Sequence, residues 1–305
     1  MNKKLGFVIL NYNGNEVTIN CVNSLLEYYK GYPICIVDNN SEKNPIDNIY
    51  EKYKDIEEII ILKAKKNYGF AVGNNIGINF LRELGVENIA VVNNDTIFQN
   101  SDLINKLEIK NLKENIAVLS LELDNKDGTK QLPYGLIKGA YKSYIKIGIL
   151  NFAVITRLFD VYKFFKNLFR KKKVENENIN LEIDFNKYEF IISGAAYILT
   201  PNFFKYYNQL FNKTFLYCEE HILALYLKKA KLKTEFIRDT KIIHLESQTA
   251  NLTSFSIKKV KLGFASWFKS LRLLLKSHKK INKKYSKKNY MYEELKQIGG
   301  QLWKF

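Results

Sequence analysis

The chain reads as an α/β fold, a doubly wound and mostly parallel sheet, and two observations carry that reading. Short apolar runs alternate with stretches of helical spacing through the first hundred residues. The runs lead into clusters of Asn, Asp, Gly and Ser at 11–14, 38–41, 67–75 and 93–95. Ligands bind such sheets beyond the carboxyl ends of the strands, where these clusters fall.

Leu5 to Leu10 (LGFVIL) is the first predicted strand, and it stops at Asn11-Tyr12-Asn13-Gly14. Val17 to Tyr29 places Val17, Cys21, Val22, Leu25 and Leu26 at helical spacing. Pro33 to Val37 is a second strand, ending at Asp38-Asn39-Asn40-Ser41, and Asp47 to Tyr53 is helical. Glu58 to Leu62 is a third strand, followed by a Gly/Asn-rich loop and a helix through Leu84. Asn88 to Val92 is a fourth, ending at Asn93-Asn94-Asp95. The second half is less regular. Ser120 to Pro133 reads as strand interrupted by a turn at Asp127-Gly128, and Phe190 to Thr200 as an apolar strand containing Ser193-Gly194-Ala195-Ala196. Pro201 opens a helix, Glu219 to Ala230 is another, and Thr234 to His244 is strand.

With 46% apolar residues in 305, the chain can bury a sizeable core and does not have the composition of a disordered protein. The 48 basic and 31 acidic residues give a formal net charge of +17, which points to an anionic partner. Cys21, Cys35 and Cys218 are widely separated without a CxxC pair and read as reduced core thiols. The N-terminus reads as a first strand rather than a signal peptide. No apolar window reaches the roughly 18 residues of a spanning helix. Two nucleotide-binding signatures are missing: Gly69, Gly73 and Gly77 are wrongly spaced for GxGxxG, and there is no GxxxxGK[ST] loop.

The ordered set Val8-Ile9-Leu10-Asn11-Tyr12-Asn13-Gly14, Val37 to Ser41, Asn67 to Asn75, Asn93-Asn94-Asp95, Ser193 to Ala196, Glu219-Glu220 and His244 resembles the family-2 glycosyltransferases. Within them it is similar to the bacterial branch that builds rhamnose-containing and other surface polysaccharides. The resemblance covers roughly residues 5 to 250 and implies a GT-A fold. It implies a catalytic domain over 1–253, with a nucleotide-sugar-binding half (1–100) and an acceptor half (101–253) that carries a basic aromatic insertion at 136–180. Residues 254–305 remain as a basic amphipathic helical tail.

The resemblance also implies roles. The donor, a nucleotide diphosphate sugar (UDP- or dTDP-linked), would be held by Asn11, Asn13, Asp38, Asn40, Asn67, Gly69, Phe70, Asn74, Asn93 and Asn94. A carboxylate such as Asp38 can accept from base or ribose donors, although Asp-Asn-Asn-Ser also suits a turn. Asn93-Asn94-Asp95 occupies the place of the family's DxD metal motif, with Asn93 replacing its first Asp. Asp95 and His244 would hold Mg²⁺ or Mn²⁺, which would neutralise charge on the leaving diphosphate. Glu219-Glu220 stands where the family has Glu-Asp. Glu220 is the expected base and Glu219 the alternative, while an acidic first helical turn would explain the pair without catalysis. One base without a carboxylate nucleophile implies inversion.

Ser254 to Lys288 interleaves Phe264, Trp267, Phe268, Leu271, Leu274 and Leu275 with lysines, and residues 136–173 have a similar character. Basic amphipathic helices of this kind suit an anionic membrane surface. The expectation is a cytoplasmic enzyme, peripheral on the inner membrane face, that acts on a glycan or lipid-linked glycan. The alternatives are a non-catalytic nucleotide-sugar-binding relative and a nucleic-acid-binding protein. The second is opposed by the lack of any RNP, KH or zinc-finger pattern.

Overall fold

A computed structural model describes residues 1–109, 113–131, 140–156, 158, 190–245, 257–288 and 290–295. Most of the expected insertion at 136–180, and the boundary at 253/254, lie outside them. One mixed sheet organises the chain, in the order β10-β3-β2-β1-β4-β8-β6-β9-β5 with β7 on β6. The strands are β1 (Leu5–Asn11), β2 (Ile34–Asp38), β3 (Ile59–Ala64), β4 (Asn88–Asn93), β5 (Thr96–Phe98), β6 (Ile116–Asn125), β7 (Lys130–Gln131), β8 (Ala196–Leu199), β9 (Lys233–His244) and β10 (Tyr292–Glu294). The helices are α1 (Asn15–Tyr28), α2 (Asp47–Tyr53), α3 (Phe70–Glu83), α4 (Asp102–Ile109), α5 (Ala140–Ile155), α6 (Pro201–Phe204), α7 (Glu219–Ala230), α8 (Ile257–Ser270) and α9 (His278–Tyr285).

The strands β1, β2 and β3 are parallel neighbours laid outward in chain order; the chain then returns to put β4 on the other side of β1, also parallel. That reversal creates a switch point between β1 and β4, where a crevice opens beyond the carboxyl ends. β8 runs antiparallel to both β4 and β6, and β9 runs parallel to β6. The start of β8 and the ends of β6 and β9 therefore lie on the same edge as the end of β4. β5 starts there too, since Thr96 pairs with His244.

Successive strand residues face opposite sides, and the core is split accordingly. Val8, Cys35, Val37, Ile60 and Leu62 pack towards α3 and α7, while Phe7, Ile9, Ile34, Ile36 and Ile61 pack towards α1 and α2. Burial on both faces is why these strands read as unbroken apolar runs. The three cysteines are free and buried. No described helix is long and apolar enough to cross a membrane.

Three expectations are corrected. The Gly/Asn-rich stretch 67–75 is loop only to Gly69, and α3 begins at Phe70. Helix is possible there because Gly77 lets α3 close on Val8 and because Asn75 exchanges two hydrogen bonds with the Leu210 backbone (3.0 and 2.9 Å). Of Phe190 to Thr200, only Ala196–Leu199 is strand, and Ser193 to Ala195 leave the ladder to form a shelf at the carboxyl edge. The C-terminal amphipathic stretch is not one helix: it breaks into α8, a 3₁₀ turn (Leu271–Leu273) and α9, which Ser277 caps by accepting from Lys280 N. Leu273 and Ile281 are buried there, and β10 then covers the edge of β3.

Candidate active site

Two buried residues tie the tips of β1 and β2 together. The Asn11 amide donates to Asn15 Oδ1 (2.9 Å) and Asp38 Oδ1 (3.0 Å), and its oxygen accepts from Thr18 Oγ1 (2.8 Å). Asp38 also accepts from the Ser41 hydroxyl (2.6 Å) and the Ser41 N–H (3.1 Å). The turn-forming use of Asp38 is therefore real, and its carboxylate forms the floor of the edge rather than its rim. On the rim, Asn13 and Asn40 adopt left-handed backbone (φ 58° and 61°), which Asn tolerates better than most residues. Tyr12 stands beside Asn13, 47% exposed.

Asn67 organises the next loop. Its oxygen accepts from Asn39 Nδ2 and from the Gly69 N–H, both at 2.9 Å. Gly69 has φ 80°, and the Phe70 N–H donates to Phe215 O (2.7 Å), so this loop is pinned to the segment before α7. Asn74 lies one turn into α3, nearly fully buried. Its amide donates to Phe70 O (3.0 Å), and its Oδ1 has no partner among the described residues.

A relay joins the first tip to the 93–95 motif: Asn94 Nδ2 donates to Thr18 Oγ1 (3.0 Å), which in turn donates to Asn11. The Asn93 N–H donates to Ala195 O (2.7 Å), fixing the 193–195 shelf beside the motif. Asp95 Oδ1 lies 3.3 Å from His244 Nε2, and His244 Nδ1 lies 2.9 Å from Gln131 Oε1. With Nδ1 donating to Gln131, Nε2 presents a lone pair to the carboxylate. Two such acceptors can share a cation. Among the described residues no three His, Cys, Asp or Glu cluster to hold a metal. A divalent cation here would thus have Asp95 and His244 from the protein and would take further oxygens from an anionic ligand.

The acidic pair begins α7. Tyr217 and Cys218 just before it both have positive φ (69° and 74°), unfavourable for such side chains and held by the surrounding packing. Glu220 turns to the shelf, its carboxylate against the Cα of Gly194. Glu219 and Glu220 both line a narrow cleft, with Gly194 and with Phe70, Ile192, Tyr197, Phe211 and Thr214. Within it, Glu219 Oε1 and Thr214 Oγ1 have no hydrogen-bond partner among the described residues. Both residues are half-buried as a whole, and Glu219 Oε1 is buried. Burial, and then the charge of Glu220, push the Glu219 carboxyl up to about 8; burial also raises that of Glu220.

The sequence-derived residues thus form one edge, with Asn11, Asp38 and Asn94 linked by hydrogen bonds, Asp95 beside His244, and Glu220 joined to Asn93 through Gly194-Ala195. Thr18, Gln131 and Thr214 were not foreseen. Each acts through a contact between separate elements that no local spacing announces.

Residues 7–188, more than half of the chain, match the model of the family described as "Glycosyl transferase family 2". The dTDP-rhamnosyl transferase RfbF of Shigella flexneri is 28% identical over 138 residues, which is 45% of this chain and 45% of that protein. The match therefore spans less than half of that curated relative. The solved structure of S. aureus TarS 1-349 in complex with UDP-GlcNAc superposes with a TM-score of 0.51 at 13% identity, over 93% of this chain and 72% of that one. A second S. aureus TarS structure gives 0.51 at 13% identity, over 79% of this chain and 36% of that one. At such identity the likeness is one of fold, and it supports a GT-A architecture. The chain belongs to glycosyl transferase family 2.

Proposed function

We propose that the protein is an inverting glycosyltransferase that moves a sugar from a nucleotide diphosphate donor to a hydroxyl of a glycan or lipid-linked glycan. The observation that carries this reading is the single carboxyl edge on which the Asn11–Thr18–Asn94 relay, the Asp95–His244 pair at 3.3 Å and Glu220 on its glycine shelf converge. RfbF is named for dTDP-rhamnosyl transfer, and one TarS structure holds UDP-GlcNAc. A dTDP- or UDP-linked sugar is accordingly the donor class assigned here.

The nucleoside rests on the floor built by Asn11 and Asp38, with Asn13, Asn40 and Asn67 at its rim and the Gly69-Phe70 turn against it. Asn74 supports that turn, and Asn93 and Asn94 flank the diphosphate. Mg²⁺ or Mn²⁺ held by Asp95 and His244 would supply neutralisation of the diphosphate charge when bound. Glu219, with its high carboxyl pKa, keeps a proton near neutrality and leaves the negative charge of the pair on Glu220. The Glu220 carboxylate takes the proton of the acceptor hydroxyl as its oxygen bonds to the anomeric carbon. The bond from that carbon to the diphosphate oxygen breaks on the opposite face, so the configuration inverts. The setting in this reading is the cytoplasmic face of an anionic membrane, where a lipid-linked acceptor is met.

Thermal shift against UDP-, dTDP- and GDP-sugars with Mg²⁺ or Mn²⁺ tests the donor, with stabilisation expected for one nucleotide. Glu220→Gln should abolish transfer while that stabilisation persists. Near-normal turnover by this variant would remove Glu220 from the role. A donor-stabilised wild type with no transfer to any acceptor would favour a nucleotide-sugar-binding relative.

A further inference from the structure

We propose that α5 and α8 together form a docking surface for an anionic lipid bilayer. This inference rests on the membrane setting above but is independent of the donor chemistry. Tyr141, Ile145, Ile149 and Phe152 recur at helical spacing along α5 and stand out from the protein, with Ile149 51% and Phe152 50% exposed. Phe268 of α8 is 64% exposed. The two helices present one continuous face, because Phe152 meets the Phe264 ring (centroids 5.9 Å) and Phe264 stacks on Phe268 (6.4 Å). Trp267, expected on the membrane side from sequence, points inward instead. Its Nε1 donates to Tyr144 O and Tyr144 Oη donates to Trp267 O, both at 2.9 Å. The aromatic pair is thus a clamp that holds the two helices in register.

Charge identifies the occupant. Lys142 and Lys146 follow Tyr141 and Ile145 along α5, Lys261 and Lys269 lie on α8 with Phe268, and all four are exposed. Residues 128–159 contain no Asp or Glu, nor do residues 247–292, which carry twelve Lys and Arg. A second copy of this chain would bring the same positive charge to the contact. An aliphatic and aromatic stripe flanked by lysines matches the headgroup and upper acyl region of an anionic bilayer. With no described helix able to cross a membrane, the contact is peripheral.

The surface also has a route to the site. Ser266 Oγ of α8 donates to Leu216 O (2.8 Å), and Gly263 lies against Tyr217, so α8 is bonded to the segment that leads into Glu219-Glu220. A docked bilayer would present a lipid-linked hydroxyl on that side.

The test is co-sedimentation of the full-length protein with phosphatidylcholine vesicles, with and without phosphatidylglycerol. Binding is expected with phosphatidylglycerol at low salt and should weaken as salt rises. Lys142→Gln, Lys146→Gln and Lys269→Gln should each weaken it about fivefold. The combination Ile149→Ser, Phe152→Ser and Phe268→Ser should abolish it, with thermal midpoint and donor-induced stabilisation unchanged. Wild-type protein left in the supernatant would overturn the proposal, as would variants that sediment like wild type. A dimer dissolved by the serine variants, without vesicle binding, would reassign the face to a second copy. Retention on RNA without vesicle binding would equally overturn it. Vesicle binding by a protein that no nucleotide sugar stabilises would count against the transferase reading alone.

Discussion

Gly194 and Glu220 are in direct contact across the shelf: a side chain at 194 would occupy the place of the Glu220 carboxylate. The obstacle to a methyl group there is the far end of a flexible side chain, which can swing aside. Gly194→Ala should therefore cost little stability, about 1 kcal/mol or less, and still displace the proposed base. A carboxylate moved by about 1 Å loses on the order of a hundredfold in rate. Turnover and thermal midpoint measured on the same preparation check this, and an active Gly194→Ala enzyme would argue against Glu220 as base.

Gly69 presents the opposite case. A side chain there would run into the Phe215 backbone carbonyl, which cannot rotate away, and φ is 80°. Gly69→Ala should lower stability by about 2–4 kcal/mol and weaken donor binding by releasing the Phe70–Phe215 hydrogen bond. Gly31 supplies the control, because it has φ 84° with nothing within 4 Å of an added Cβ. Gly31→Ala should show only the backbone cost, about 1–2 kcal/mol. The difference between the two thermal midpoints then reads the Phe215 contact.

These glycines mark how far the sequence could be read. The strands of the first half were legible because each is buried on both faces and ends at polar residues, so Leu5 to Asn11 and Asn88 to Asn93 needed no tertiary information. The start of α3 was not legible. Phe70 to Asn75 looks like loop in isolation, and its helix depends on Leu210, 135 residues away, satisfying Asn75. The 193–195 shelf was misread as strand because apolar composition does not say where a ladder ends. Asp95 and His244 are expected side by side as ligands of one cation, whereas the Asn11–Asp38 hydrogen bond is not announced by the sequence. Gln131 on His244 was invisible, since β7 is two residues long and its role comes from pairing with β6. Trp267 was placed on the wrong side because two aromatic faces of similar composition compete in the same segment.

Glu219 should leave a signature in the pH dependence of stability. Its carboxyl pKa lies near 8 in the folded protein against an ordinary value of 4.5, because burial and the neighbouring Glu220 disfavour its charge. A raised acid binds its proton more tightly when folded, so the native state holds more protons than the unfolded state between these values. Stability should then fall as pH rises from about 5 to 8 and level off above. Glu219→Gln should flatten this slope and make the variant the more stable protein at pH 8.5. Urea denaturation of both proteins across this range measures the difference, and parallel curves would mean that Glu219 is charged at neutral pH.

Gly148 tests the clamp between α5 and α8. Replacing a glycine within a helix by alanine ordinarily stabilises it by about 1 kcal/mol. Here the indole of Trp267 packs directly against Gly148, and an added methyl would overlap its ring atoms. The indole cannot slide, because its Nε1 is bonded to Tyr144 O at 2.9 Å. Gly148→Ala should therefore destabilise by about 2 kcal/mol, against the helix-propensity expectation, and separate the two helices. The chain has two tryptophans, so a Trp303→Phe background isolates the signal of Trp267. In that background Gly148→Ala should shift the emission to the red as the indole gains water. It should also weaken vesicle binding without removing a single exposed residue, because the apolar stripe of α5 and Phe268 of α8 form one face only while the clamp holds.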